Sequence, residues 1–285
     1  MNNVIKTPQK KENPSKKDKK EKKNEKDKKE KKNKKDKREK KDTYLDILDD
    51  CQRDAVKYFF KKAKVFSKGV ELLLLTKIIE LGYTKNDYKQ LVNDIKTFVK
   101  PIIHFNGNNI GLILNENRYK STFEIQKKGS SYQKWRDRKE GYIFNKFYEN
   151  ASDRQKVKYG ALNMLNMRSG ITSARGYGTC YFVLKDDVKK RLSFVHCNSS
   201  ENTMHIATYK HFDHILYYMP SPIIKEMIEK TGKDIRYNYV ECQIHGDIMF
   251  NRDIEKFMID SKLALVKIEL IKQFCVKNGM KFEII

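Results

Sequence analysis

The sequence has no apolar run longer than five residues, and residues 6–43 contain no apolar side chain other than proline. The first absence excludes a long apolar helix and the hydrophobic segment of a secretory signal, so we expect an intracellular protein, cytoplasmic or nuclear, without membrane contact. The second absence excludes a buried core in the first 43 residues. We therefore expect residues 1–43 to be disordered.

Cysteine is also scarce, with 5 in 285 residues and none in a CxxC pair. An odd number of unpaired cysteines predicts reduced thiols and not a disulfide framework. His205, His211 and His214 lie close in sequence, but their spacing fits no common zinc pattern. The sequence therefore predicts no metal site.

Negative charge is outnumbered, with 37 Asp and Glu against 61 Lys and Arg, which gives a net charge of +24. Residues 1–43 hold 20 basic and 9 acidic side chains, so they carry +11 and the remainder carries +13. A basic tail can attract nucleic acid or another polyanion through counterion release, or serve as a localisation signal. It can equally be a solubilising segment of low complexity, because the interspersed acids dilute its charge.

Apolar residues at helical spacing follow the tail and predict three helices, which we interpret as a scaffold or lid. Thr43 and Asp46 have the spacing of a capping box before the first helix, and Thr84 and Asp87 have it before the third. The predicted helices span residues 44–66, 70–79 and 84–99.

After Pro101 the pattern changes to short strand-like runs separated by turn-forming residues. The predicted strands are residues 102–105, 110–114, 119–125, 177–184, 192–197, 235–249 and 281–285, and the predicted helices are 133–150, 222–230 and one or two within 250–278. This order predicts an α+β domain over residues 101–285, with a small, twisted, mixed or antiparallel sheet split around a cleft. It follows the helical scaffold of residues 44–100 and the tail of residues 1–43.

The stretch from residue 158 to 200 concentrates four glycines in one loop region, flanked by Arg168 and Arg175. The glycines are Gly160, Gly170, Gly176 and Gly178. Such a set suits a backbone that comes close to another group, and an anionic ligand is one candidate. The other interpretation is that the glycines only form turns between strands.

Residues 239–246 alternate in polarity, which places Glu241, Gln243 and His245 on one face of a strand. If the apolar face is the core, the polar face either lines a cleft or faces water. A carboxylate, a carboxamide and an imidazole on successive positions also suit a catalytic edge.

The order of several short segments resembles the family called domain of unknown function 3626. These segments are HFN at 104, YKSTFE at 119, the run 135–144, KYGALN at 158, RGYGTCYF at 175 and YVECQIHG at 239. The resemblance covers about residues 100–285. The layout of that family in turn looks like a diverged mono-ADP-ribosyltransferase domain, which would use NAD as its substrate.

This resemblance implies roles for particular residues. The early basic position falls at Lys120, where the family usually has Arg, and Arg118 would supply the bidentate diphosphate contact that lysine cannot make. Thr179 would orient a ribose or the catalytic acid, and Glu241 would stabilise positive charge as the glycosidic bond breaks. Gln243 would face the same cleft. The resemblance also assigns Tyr159, Asn163, Arg175 and Gly178 to the cofactor site.

Two functions from different classes follow from these observations. The resemblance implies transfer of ADP-ribose from NAD to a protein acceptor, or hydrolysis of NAD, with Glu241, Gln243 and Thr179 in catalytic positions. The alternative is a basic module, without enzymatic activity, that binds nucleic acid or protein. In that module aromatic side chains would stack on or pack against the partner, and the candidates are Tyr132, Trp135, Tyr142 and Tyr148.

Overall fold

Three helices precede the first strand, as predicted: α1 (Asp50–Ser67), α2 (Val70–Glu80) and α3 (Lys85–Thr97). The expected cap of α3 is confirmed, because Thr84 and Asp87 form a reciprocal capping box. The helix α1 begins later than predicted. Its capping box is made by Asp49 and Gln52, and the expected partner Thr43 lies outside the described residues.

The computed structural model describes residues 44–199 and 205–285. The predicted tail, residues 1–43, therefore lies outside the described residues. Residues 47–285 form one compact unit, which contains the three helices together with all the strands described below.

The described part of the chain forms an eight-stranded sheet that is antiparallel except for one parallel pair at its edge. Its strand order is β10-β9-β4-β1-β3-β7-β5-β6, and β9 and β10 are the parallel pair. The strands are β1 (Pro101–Phe105), β3 (Lys158–Leu162), β4 (Cys180–Leu184), β5 (Leu192–Val195), β6 (Ile206–Ala207), β7 (Val240–Ile244), β9 (Ile254–Ile259) and β10 (Lys281–Ile284). Two short strands, β2 (Arg118–Tyr119) and β8 (Ile248–Met249), form a separate antiparallel pair.

Seven further helices complete the described fold. They are α4 (Ile110–Ile113), α5 (Thr122–Ile125), α6 (Ser131–Ile143), α7 (Asp213–Tyr218), α8 (Ser221–Glu229), α9 (Phe250–Asp253) and α10 (Leu265–Lys277), and 3₁₀ turns span Gly107–Asn109, Thr172–Tyr177 and Asp186–Arg191. The predicted α+β class with a mostly antiparallel sheet is confirmed.

Both faces of the sheet are covered. The larger core packs α2, α3, α7, α8 and α10 against one face, which includes the apolar side chains of Val240, Cys242 and Ile244. On the other face, Phe59 of α1 and Phe144 at the end of α6 pack together, with ring centroids 5.4 Å apart. The side of β7 that carries its polar residues therefore faces the protein interior.

Several local predictions were wrong. Residues 110–113 form a helix and not a strand, and the predicted strand 119–125 is a single strand residue followed by helix α5. Residues 254–259 lie in a strand, although we predicted only helix between 250 and 278. The strand predicted over 235–249 is limited to 240–244 and 248–249.

Candidate functional site

A cavity of about 130 Å³ lies on the sheet face that is covered by α6. Its walls come from β1, β3, β7, the start of α5, the first half of α6 and the 3₁₀ turn at 172–177. The lining residues are His104, Tyr119, Lys120, Thr122, Tyr132, Arg136, Lys158, Tyr159, Gly160, Ala161, Ala174, Tyr177, Tyr239 and Glu241. Charged and aromatic side chains predominate in this wall.

Glu241 presents its carboxylate to the cavity from β7, which lies between β3 and β5 in the middle of the sheet. The residue is 4% exposed. Gln243 donates a hydrogen bond from its amide nitrogen to Glu241 Oε1 at 3.0 Å, and Ser199 donates through its hydroxyl and its backbone N–H. Burial raises the pKa of the Glu241 carboxyl, while the Ser199 hydrogen bond and the positive charge of Arg136 oppose that rise.

Arg136 enters the cavity from α6 and stacks on an aromatic ring. Its guanidinium carbon lies 3.6 Å from the centroid of the Tyr159 ring, a cation–π contact. Its Nε lies 3.4 Å from Glu140 Oε1, one helical turn further along α6. The arginine is thus fixed between an aromatic face and a carboxylate.

Glu140 connects Arg136 of α6 to Tyr159 of β3. The Tyr159 hydroxyl donates to Glu140 Oε1 at 2.6 Å, while the other carboxyl oxygen, Oε2, is buried without a hydrogen-bond partner. Because the residue is 1% exposed, burial raises the pKa of Glu140 to about 7. The side chain therefore titrates near neutral pH.

Lys158 is a buried base in the same wall. Burial lowers the pKa of its amine to about 8, since its side chain has no exposed surface. It donates to the backbone carbonyl of Arg154, and Asp247 Oδ1 lies 3.6 Å away. These contacts hold the amine beside Arg154 and Asp247, at the start of β3.

Residues 107–221 match the protein family described as protein of unknown function (DUF3626). The resemblance to DUF3626 is confirmed. The DUF3626 match includes Lys120, Arg136 and Tyr159 and ends before Glu241. A comparison with curated proteins gave no match. None of the helices in the described ranges is long and apolar enough to cross a bilayer.

Three of the predicted site residues line the cavity together: Glu241, Lys120 and Tyr159. Lys120 is 31% exposed in its side chain and pairs with Glu116 at 2.7 Å. Gln243 is fully buried behind Glu241 and contacts its carboxylate, so it does not itself form the wall.

The other predicted site residues lie outside the cavity lining. Arg118 makes two hydrogen bonds to Glu124, at 3.1 and 2.6 Å, and pairs with Glu116 at 2.9 Å. Asn163 closes a local turn through two hydrogen bonds with the backbone of Met167, at 2.9 and 3.0 Å.

Arg175, Gly178 and Thr179 also lie outside the lining, at the turn before β4. Arg175 and Thr179 are exposed, and the Thr179 side chain hydrogen-bonds with Asp260 and not with Glu241. Gly178 has a φ of 139°, and a Cβ there would lie 1.9 Å from the carbonyl oxygen of Phe105. Glycine is therefore required at position 178 because the backbone there lies against the backbone of β1.

Sequence reasoning missed Arg136, Glu140 and Lys158. Arg136 and Glu140 lie four residues apart within the predicted helix 133–150. Their i, i+4 spacing was a usable signal, because it places a cation and a carboxylate side by side on a helix. Nothing in the sequence indicated that this face turns inward onto Tyr159.

Proposed function

We propose that this protein cleaves the nicotinamide–ribose bond of NAD and transfers ADP-ribose to a protein acceptor or to water. The observation that carries the proposal is the position of Glu241, a buried carboxylate that opens on a cavity walled by tyrosine rings. Such a carboxylate can stabilise positive charge that develops on a sugar as its glycosidic bond breaks.

The size of the cavity supports this substrate. A cavity of about 130 Å³ is close to the size of about 150 Å³ that holds one benzene ring, so it would take the nicotinamide ring and not the whole dinucleotide. Tyr159, Tyr177 and Tyr239 would supply the aromatic surface. Lys120, whose side chain is 31% exposed, would offer the phosphates a single positive charge in exchange for its pair with Glu116.

The reaction requires Glu241 to be ionised. Burial opposes ionisation, but the hydrogen bonds from Ser199 and Gln243 and the charge on Arg136 favour the carboxylate. When the bond between ribose C1′ and the pyridinium nitrogen breaks, its electron pair goes to the nitrogen and releases neutral nicotinamide. The acceptor or water then bonds to C1′ and loses its proton to solvent, while Glu241 stabilises the cationic sugar without forming a bond.

Nicotinamide release from NAD by the full chain tests this proposal. Glu241→Gln keeps the volume and removes the charge, so we expect at least a 100-fold loss of turnover with an unchanged melting temperature. Glu149→Gln is the matched control, because Glu149 is 62% exposed and lies outside the cavity, and it should keep full turnover. Full turnover by the Glu241 variant would overturn the assignment of this residue.

A second candidate function is binding of single-stranded nucleic acid, and a groove between α1 and α6 favours it. The groove has a volume of about 1060 Å³. Lys62, Lys134 and Arg138 line it and form no ion pair with a carboxylate within the described ranges, and Tyr142 beside them is 66% exposed. Cations and an exposed ring together suit phosphates and bases.

Binding of a fluorescent oligothymidylate to the full chain tests this second candidate. Reversing two charges with Lys134→Glu and Arg138→Glu should weaken binding by about tenfold or more, and reduce its salt dependence. The control reverses Lys225 and Lys262, which are exposed elsewhere. Equal loss in both variants would mean that only net charge matters, and would remove the groove as a site.

A further inference from the structure

A row of buried polar side chains runs through the interior from the groove to the cavity. Tyr148, which lines the groove, begins it, and Glu241, which lines the cavity, ends it. His245, Ser193 and Gln243 lie between them and have no exposed surface.

Four hydrogen bonds connect these five side chains. The Tyr148 hydroxyl lies 2.6 Å from His245 Nδ1, and His245 Nε2 lies 3.0 Å from Ser193 Oγ. Ser193 Oγ donates to Gln243 Oε1 at 3.1 Å. The Gln243 amide nitrogen then donates to Glu241 at 3.0 Å.

The chemistry of each group permits only one direction for the row when Glu241 is ionised. A carboxylate only accepts hydrogen bonds, so Gln243 must present its NH₂ to Glu241 and its carbonyl to Ser193. The single hydroxyl proton of Ser193 is then committed to Gln243, and Ser193 must accept from His245.

The same reasoning fixes the protonation of the histidine. His245 must carry its proton on Nε2 to donate to Ser193, which leaves Nδ1 as the acceptor of the Tyr148 hydroxyl proton. A second proton on Nδ1 would turn the Tyr148 hydroxyl from donor to acceptor and would place a positive charge in the protein interior. The row therefore fixes the proton on Nε2, and the complete burial of the ring favours its neutral form.

The surroundings of His245 agree with a neutral ring. Phe59 and Phe144 pack against it, with centroid distances of 5.7 and 5.8 Å. Burial, together with the positive charges of Arg191 and Lys158, lowers the pKa of His245 to about 3. Tyr148 is the remaining titratable group in contact with the ring, and burial raises its pKa, so it stays a donor.

We infer that Tyr148, His245, Ser193 and Gln243 are positioning residues that hold the Glu241 carboxylate in one orientation and favour its charged form. Each bond in a row with a common direction polarises the next, so the last donor, Gln243, binds an anion more strongly than an isolated amide would. The catalytic consequence rests on the proposed function, whereas the hydrogen-bond row stands without it.

The row can be tested first without any enzymatic assay. Long-range ¹⁵N–¹H NMR spectra of the full chain should show His245 as the neutral Nε2–H form at pH 7. A cationic ring, or a proton on Nδ1, would overturn the inference. A chain that shows the expected form but releases no nicotinamide would refute the proposed function alone.

The second test removes one hydroxyl from the row. Ser193→Ala should stabilise the charged form of Glu241 less well, which raises the pKa of this carboxyl. The acid limb of the pH–rate profile should therefore move to higher pH by about half a unit or more. We expect kcat to fall about tenfold and KM to stay nearly unchanged. Ser193→Thr, which keeps a hydroxyl, should restore the profile. If the alanine variant folds and its profile is unchanged, the positioning role is wrong.

Tyr148→Phe provides an independent variant if Ser193→Ala does not fold. Removing this hydroxyl takes the donor from Nδ1, so the Nδ1 chemical shift should change while the ring keeps its proton on Nε2. The acid limb should shift in the same direction as in Ser193→Ala. Tyr142→Phe is the matched control, because Tyr142 is exposed and does not belong to the row. Identical spectra for both tyrosine variants and the wild type would contradict the row.

Discussion

The Arg136 guanidinium lies over the ring of Tyr159, with its central carbon 3.6 Å from the ring centroid. Only 11% of the arginine side chain is exposed, so this contact is partly desolvated and is worth more than a surface cation–π pair. The stacked pair forms one wall of the cavity, and the hydroxyl of the same tyrosine holds Glu140.

Arg136→Lys should show how much the contact between Arg136 and Tyr159 contributes to stability. Lysine keeps the charge but loses the planar stack and the Nε contact to Glu140, so we expect a loss of about 1–2 kcal/mol in the free energy of unfolding. Urea denaturation at pH 7 measures it. Arg138→Lys, at an exposed position on the same helix, is the control and should change stability by less than about 0.5 kcal/mol.

The raised pKa of Glu140 predicts a pH dependence of stability with a definite sign. Its pKa is about 7 in the folded chain, above its ordinary value of 4.5, so between these values the folded state binds more protons than the unfolded state. The free energy of unfolding should therefore fall as pH rises from about 4.5 to 7, by on the order of 3 kcal/mol from this group.

Glu140→Gln removes this titration while keeping an oxygen that can accept from Tyr159. The difference between wild type and variant in unfolding free energy, measured by urea denaturation at pH 5, 6, 7 and 8, should shift in favour of the variant as pH rises. A constant difference across this series would show that Glu140 does not titrate in this window.

Two glycines two residues apart provide a direct test of the turn before β4. Gly178→Ala should destabilise the fold by at least about 3 kcal/mol, because φ is 139° and the new Cβ would overlap the Phe105 carbonyl. Gly176→Ala meets no atom within 4 Å and should be close to neutral. Thermal denaturation of the two variants tests this difference. Equal melting temperatures would contradict the close contact between Gly178 and Phe105.

Phe59 connects the first helix to the polar side of β7. It is fully buried, and its ring contacts Phe144 and His245. Phe59→Ala should cost about 3–5 kcal/mol, whereas Leu72→Ala, at a side chain that is 70% exposed, should cost less than about 0.5 kcal/mol. Small losses in both variants would mean that α1 packs only loosely on the sheet.

The strand over residues 240–244 shows what alternation in a sequence can predict. The period of two correctly separated Glu241 and Gln243 from the apolar side chains of Val240 and Ile244. It could not distinguish a polar face in water from a polar face inside the protein, and this face is buried. That outcome depends on α1 and α6 covering it, which is a tertiary effect.

The wrong local predictions have a similar origin. Residues 257–259 are all buried, because Phe257 and Ile259 pack in the larger core while Met258 packs on the other face of the sheet, so their burial has no period of two. Ile110 and Ile113 lie on one turn of a four-residue helix, too short for a helical period to be read. The cap at Thr84 and Asp87, in contrast, is a local interaction, and the sequence predicted it correctly.

The strand order interlaces distant parts of the chain. β3, β4 and β5 lie within the matched residues 107–221, yet β1 separates β3 from β4, and β7 separates β3 from β5. A fragment with only the matched residues would contain one neighbouring pair of the large sheet, β5 with β6, and would leave β3 and β4 without either of their neighbours. Two separately produced halves of the domain would have to interdigitate strand by strand before the cavity could exist, so fragment complementation should be slow and strongly dependent on concentration.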